Sequence, residues 1–214
     1  MDDTDKDDET LPLRRILVLY AHPAQRSSHV NRWLFEAASG LAGVTAVDLY
    51  AEYPRYEIDI DREQERLRRH DAIIFQHPFY WYSTPALLKE WQDLVLEHGF
   101  AYGEGGDALN GKIFFNAVTA GAPEVAYRAR GYNRRTLAEL LYPMEATAHL
   151  CGMTWLPPFA LYRSRHAAEE GLADTHRADW LRLLRALRDG TLDIKAAQAR
   201  PRLNDGLAKL IREG

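Results

Sequence analysis

Apolar and amphipathic segments alternate along this chain. A continuous apolar run at residues 16–20 is typical of a strand buried on both faces of a parallel sheet. The pattern that follows predicts a helix with an apolar face made of Val30, Leu34, Ala38 and Leu41. Further strands are predicted at residues 44–49, 72–75, 113–118 and 153–161, and helices at about residues 61–70, 85–95, 134–150 and 172–187. This alternation predicts an α/β fold with helices on both faces of a doubly wound parallel sheet.

Two proline-containing segments refine the element ends. Thr84 is predicted to be the N-cap of a helix whose first residue is Pro85, because proline fits the first helical turn. Pro157-Pro158 lies within the fifth predicted strand. Proline has no N–H to donate to a sheet, so this strand is predicted to be an edge strand or to end there.

Composition indicates one domain with two polar ends. The 214 residues are 46% hydrophobic, enough for a single α/β core. We expect residues 1–10 to be an acidic disordered tail, residues 11–190 to form the ligand-binding domain, and residues 191–214 to be an accessory tail that packs on the domain or on a partner.

Charge and cysteine content narrow the class of protein. The net charge of −4 disfavours nucleic-acid binding, and Cys151 as single cysteine fits a reducing, cytoplasmic compartment. No apolar run is long enough to cross a bilayer, and the histidines lack the spacing of metal ligands. We therefore expect a cytoplasmic protein without a bound metal.

The loop after the first strand is a candidate anion site. Ligands of doubly wound sheets bind where strands end, and residues 21–31 lead from a strand end into a helix N-terminus. Ser28, Asn31 and nearby amides could hold a phosphate there, with His22 and Arg26 adding hydrogen bonds or charge. Glycine-rich dinucleotide and Walker motifs are absent, so such a cradle would be rich in side chains. The alternative is an ordinary strand-to-helix connection in which Ser28 only caps the helix.

The loops after the third and fourth strands suggest the rest of the ligand. Residues 79–82 are four consecutive aromatics, which could form a flat wall for a planar ligand, or could cover the sheet end or a subunit contact. In the fourth loop, Gly121 would allow close approach of a ligand, or would serve only as a turn. A phosphate cradle beside an aromatic wall favours a mononucleotide with a large flat ring, of which flavin is the natural candidate.

Several motifs together resemble a known family. They are Ala21-His22-Pro23, Ser28-His29-Val30-Asn31, Gln76-His77-Pro78, Trp81-Tyr82-Ser83, Pro85-Ala86-Leu87-Leu88-Lys89 and Thr154-Trp155-Leu156-Pro157-Pro158. The chain is similar to the flavodoxin-like NAD(P)H:quinone oxidoreductases, and within them to the ancillary subunits of bacterial glutathione-gated potassium efflux systems. The resemblance implies a flavodoxin-like sheet of about five parallel strands in the order 2-1-3-4-5. It also implies flavin contacts at His22, Ser28, His29, Val30, Asn31, Phe79, Tyr80, Trp81, Tyr82, Thr119, Ala120, Gly121 and Ala122.

The same resemblance implies a reaction, and the chain departs from the family's sequence pattern at two places. The implied activity is two-electron reduction of a quinone by NADH or NADPH through FMN or FAD, with FMN preferred because no adenine site is evident. Tyr127 matches a catalytic tyrosine near the anionic edge of the flavin, whereas the histidine that often accompanies it is missing and Asn133 lies near that place. Consecutive glycines are replaced by Gly121-Ala122-Pro123, which adds a methyl group and removes a backbone donor.

Partners follow from the resemblance as well. It implies a homodimer, and it supports the alternative of a regulatory subunit that contacts the cytoplasmic domain of a potassium efflux transporter, which would place the protein peripherally on the inner membrane. A one-electron carrier of the flavodoxin kind is disfavoured, because such carriers steer their partners with a stronger single-sign charge.

Overall fold

The computed structural model describes residues 13–24 and 29–212. Its strands are β1 (Ile16–Tyr20), β2 (Val44–Asp48), β3 (Ala72–Pro78), β4 (Ile113–Thr119), β5 (Thr154–Trp155) and β6 (Phe159–Leu161). Its α-helices are α1 (His29–Ser39), α2 (Leu49–Glu52), α3 (Ile60–Arg69), α4 (Ala86–Val95), α5 (Leu137–Leu140), α6 (Tyr142–Leu150), α7 (Leu172–Arg188) and α8 (Ile194–Gln198). Among these helices, none combines the length and the apolar character needed to cross a membrane.

The strands form one parallel sheet in the predicted order. The path is β2-β1-β3-β4-β5, and β6 also pairs with β4. The order reverses at β1 and β3, whose pairing sets Ile16 opposite Ala72 and Tyr20 opposite Gln76. The predicted flavodoxin-like topology is therefore confirmed, and it places the crevice between β1 and β3 at the carboxyl end of the sheet.

The core lies on both faces of the sheet. Every residue of β1, β3 and β4 is buried, which explains their continuous apolar character. One face packs against α4, whose Trp91 is fully buried, and the other against α1 and α7, with Trp180 in contact with Phe115 and Phe159. The two layers hold the ends of β1, β3 and β4 in fixed positions.

The fifth predicted strand is divided in two. Residues 153–161 were expected to form one strand, but β5 and β6 are separated by Pro157-Pro158 and pair with different parts of β4. Two consecutive residues without an N–H cannot donate to the ladder, so pairing stops and resumes after them. The prediction that this pair ends a strand is confirmed, and that of a single strand is wrong.

Two predicted helix boundaries are also wrong. Thr84 does not cap α4: Pro85 occupies the N-cap position, and the Thr84 hydroxyl is buried without a hydrogen-bond partner. A residue before proline favours extended backbone, which keeps Thr84 outside the helix. The helix predicted at 134–150 is two helices, because Thr136 and Glu139 form a capping box that starts α5, and Pro143 lies in the first turn of α6.

The C-terminal segment packs on the α1–α7 face of the sheet. Leu192, Leu203 and Leu210 are fully or almost fully buried there. The Asp193 N–H donates to the Leu210 carbonyl at 2.8 Å, and the Leu203 N–H donates to Pro158 at 3.0 Å. The described part of residues 191–214 thus covers core rather than extending away from it, whereas the acidic residues 1–10 lie outside the described part of the chain.

Candidate functional site

A cavity of about 460 Å³ lies at the carboxyl ends of β1, β3 and β4. This volume is within the range of small-molecule sites. Eight predicted ligand residues line it: His22, His29, Val30, Asn31, Phe79, Tyr80, Thr119 and Gly121. Ser28, predicted as a helix cap and phosphate ligand, lies outside the described residues. Segments far apart in sequence therefore meet where the sheet topology predicts a ligand.

Asn31 connects the first turn of α1 to two strands. Its side-chain amide donates to the Thr119 hydroxyl at 2.6 Å, and Gln76 donates to its backbone carbonyl at 2.6 Å. Asn31 is only 3% exposed, and among the described residues its Oδ1 has no hydrogen-bond partner. A buried acceptor left unpaired costs free energy, and this oxygen has almost no accessible surface.

His22 lines the cavity as a neutral imidazole. Burial lowers its pKa from 6.5 to about 4. The Ala24 N–H donates to Nδ1 at 3.2 Å, which leaves the proton of the neutral ring on Nε2. The ring also contacts Tyr80 edge-to-face, with centroids 5.8 Å apart. His22 can therefore donate a hydrogen bond, but it brings no charge at neutral pH.

The aromatic segment after β3 is a tight turn. Tyr80 and Ser83 exchange backbone hydrogen bonds of 3.2 and 2.9 Å, and the residues between them, Trp81 and Tyr82, have φ of 47° and 64°. Two central residues with positive φ are typical of a type I′ turn, where asparagine and glycine are usual. The Trp81 side chain is 93% exposed and does not line the cavity. Of the four predicted wall residues, the structure thus brings only Phe79 and Tyr80 to the cavity.

Tyr127 contacts Phe79, and Asn133 contacts Tyr82, so both predicted catalytic residues are linked to the aromatic segment. The Tyr127 ring is 6.1 Å from that of Phe79, and the Tyr82 hydroxyl donates to Asn133 Oδ1 at 3.2 Å. Burial raises the pKa of Tyr127, while a hydrogen bond with Asn133 partly opposes this. The Tyr127 hydroxyl therefore keeps its proton at neutral pH, but neither predicted catalytic residue lines the cavity.

The fourth loop is tied to the segment after β6. The Ala120 N–H donates to Leu161 at 2.8 Å, the Ser164 N–H to Ala120 at 3.1 Å, and the Arg163 N–H to Ala122 at 3.2 Å. These bonds fix the fourth loop against the segment after β6, and neither Ala120 nor Ala122, both predicted as ligand residues, lines the cavity.

Four lining residues were not predicted: Pro78, Ser164, Arg165 and Ala168. Three of them follow β6, whereas ligand residues were expected only in the loops after the first, third and fourth strands. Arg163-Ser164-Arg165 directly after the last predicted strand was the available signal.

The fold is that of a known family. The chain belongs to the proteins with the flavodoxin-like fold, since the profile of that family matches residues 14–184. It is 51% identical over 170 residues to the glutathione-regulated potassium-efflux system ancillary protein KefG of Serratia proteamaculans, covering 78% of this chain and 93% of that protein. The family resemblance of the motifs is thereby confirmed.

Solved structures agree with this assignment. General stress protein 14 of Treponema denticola, crystallised in complex with FMN, superposes with a TM-score of 0.76 at 38% identity and covers 81% of this chain and 99% of its own. An NADPH-quinone reductase from P. pentosaceus gives a TM-score of 0.68 at 31% identity, with coverage of 76% and 95%.

Proposed function

We propose that this chain is an FMN-dependent NAD(P)H:quinone oxidoreductase. The observation that carries the proposal is the cavity, which joins a helix N-terminus, neutral polar side chains and an aromatic wall at the switch in strand order. Two similar proteins support it, one crystallised with FMN and one described as an NADPH-quinone reductase.

The residues present fit a flavin mononucleotide. Asn31 lines the cavity, and the first turn of α1 offers amide groups and a positive dipole end to a phosphate. Phe79 and Tyr80 would contact the flat ring, with Thr119 and Gly121 at its polar edge. A bound flavin supplies the redox chemistry, accepting a hydride from NADH or NADPH and delivering two electrons to a quinone. FAD is an alternative cofactor.

The chain itself would bind and orient the ligands and exclude water from the cavity. His22 can donate one uncharged hydrogen bond from Nε2. Phe79, almost fully buried, shields the cavity on the side of Tyr127. We assign to Tyr127 a proton-holding role at its hydroxyl, and to Asn133 the orientation of Tyr127 and Tyr82 through hydrogen bonds.

Absorption spectroscopy tests the proposal directly. Purified protein titrated with FMN is expected to shift the visible flavin spectrum, and the loaded protein to oxidise NADH or NADPH only when a quinone is present. Arg177→Gln, on the exposed face of α7, is a control expected to behave as wild type. Absence of binding at high FMN concentration would refute the oxidoreductase proposal.

A second function is favoured by one observation. Identity of 51% extends over 93% of a potassium-efflux ancillary protein, more than the fold alone requires. We infer that the chain could act as a regulatory subunit on the cytoplasmic domain of an efflux transporter, located in the cytoplasm or peripherally on the inner membrane. Co-purification with an efflux protein from the same genome, and faster potassium efflux in its presence, are the expected results. Failure of both would remove this function.

We also propose a homodimer. Trp81, which follows the cavity residue Tyr80, and Tyr132 are 93% and 89% exposed, and a second copy of the chain would cover them. Light scattering after gel filtration is expected to give twice the chain mass, and a monomer at micromolar concentration would contradict the proposal.

A further inference from the structure

Cationic and anionic side chains are unevenly distributed around the cavity. Among the described residues, no aspartate or glutamate lines it, and Arg165 is the one arginine or lysine that does so. The whole chain has a net charge of −4, so this local excess of positive charge is opposite in sign to the average. His22 does not contribute to the excess, because its pKa is about 4.

Arg165 is positioned by the segment on which it lies. Ser164 and Arg163 are hydrogen-bonded to the fourth loop through their backbone N–H groups, as described above. A Cβ placed on Gly121 would lie 3.6 Å from Arg165 Nε, so the arginine side chain lies against that glycine. The Arg165 side chain therefore lies over Gly121 and lines the cavity while remaining exposed to solvent.

Its charge is not neutralised within the described part of the chain. Arg163 pairs with Glu170, and Arg202 pairs with Asp205 and Glu124. No carboxylate among the described residues pairs with Arg165. Within the described residues, Arg165 thus has no carboxylate partner, neighbours the Ser164 hydroxyl and lines a cavity that no carboxylate lines, an arrangement suited to bind phosphate oxygens.

We propose that Arg165, together with Ser164, forms a subsite for a phosphate monoester at this cavity. The inference deepens the proposed function, on which it rests for the identity of the ligand. FMN carries such a group at its 5′ position, and NADPH carries one at its 2′ position, whereas riboflavin and NADH lack it. Arg165 would then determine whether the site prefers the phosphorylated form of its ligand.

Paired ligands test the subsite. Isothermal titration with FMN, riboflavin, NADPH, NADH and inorganic phosphate is performed on wild type, Arg165→Gln, Arg165→Lys and the equal-charge control Arg177→Gln. Charge-assisted hydrogen bonds at an exposed position predict a loss of about tenfold in affinity for Arg165→Gln, smaller for Arg165→Lys and smaller at high salt. Affinity for riboflavin and NADH, which lack the phosphate monoester, should change less than about twofold.

The outcomes distinguish the flavin phosphate from the NADPH phosphate, and the subsite from the proposed oxidoreductase function. Loss confined to FMN identifies the flavin phosphate, and loss confined to NADPH identifies the dinucleotide. Equal loss for phosphorylated and unphosphorylated ligands, or a loss matched by Arg177→Gln, overturns the subsite even if FMN binds. Arg165-dependent binding of inorganic phosphate by a protein that binds no flavin would support the subsite and refute the proposed function. A wild-type chain that binds none of these ligands overturns both.

Discussion

Acid should destabilise this fold through His77, at the end of β3. The side chain is 0% exposed. Its Nδ1–H donates to the Pro78 carbonyl at 3.0 Å, and its Nε2 accepts from the Asn116 amide at 3.0 Å. The bond that Nε2 accepts requires the neutral ring, because a proton on Nε2 would face the N–H group of Asn116. Burial accordingly lowers the pKa of His77 from 6.5 to about 4.

The loss of stability in acid follows from the difference between the pKa of His77 in the unfolded chain, 6.5, and in the folded chain, about 4. Between the two values the unfolded chain binds more protons than the folded one, so stability is complete above about pH 6.5 and is lost as the pH falls. A shift of about 2.5 units corresponds to about 3 kcal/mol, of which about 2.5 kcal/mol is lost by about pH 4.5. His22 and His176, whose pKa values are lowered to about 4 and about 3 by burial, add losses of the same sign.

Urea unfolding at about pH 7 and about pH 4.5 isolates the contribution of His77. His77→Gln keeps a donor and an acceptor but cannot gain a proton, so its loss between the two pH values should be about 2.5 kcal/mol smaller than that of wild type. His149→Gln removes an exposed imidazole and is the matched control. If His77→Gln loses as much stability as wild type over this interval, the buried neutral imidazole does not account for acid sensitivity.

Three other substitutions test the cavity and its supports. Asn31→Ala should cost about 1 kcal/mol of unfolding free energy through its bond to Thr119, and should also weaken FMN binding in titration. A stability loss with unchanged FMN affinity would place Asn31 outside the ligand site. Trp81→Ala should change stability by less than about 0.5 kcal/mol while lowering dimer affinity in sedimentation, because the side chain is exposed; destabilisation of the monomer would contradict this. Leu203→Ala should cost about 2–5 kcal/mol in urea unfolding, since the side chain is fully buried. A negligible cost would mean that the C-terminal segment is not part of the cooperative unit.

Much of the sheet could be predicted because a strand buried on both faces has a continuous apolar run, which is a local feature of the sequence. β1, β3 and β4 read as continuous apolar runs since helices cover both sides of the sheet. The approximate place of the site followed as well, because ligands of parallel sheets bind beside the switch in strand order. Eight of the expected ligand residues accordingly line one cavity.

Other features depend on contacts between distant segments. The direction of Trp81 depends on the Tyr80–Ser83 turn, and aromatic character alone does not report on which side of a turn a ring lies. Arg165 reaches the cavity because Ser164 and Arg163 are hydrogen-bonded to loop four, some forty residues earlier in the chain. The sequence by itself determined the central strands and the proline interruption of the sheet, since continuous apolar runs and missing N–H groups are local. Tertiary structure decided which side chains share the cavity, because that depends on hydrogen bonds that no local pattern encodes.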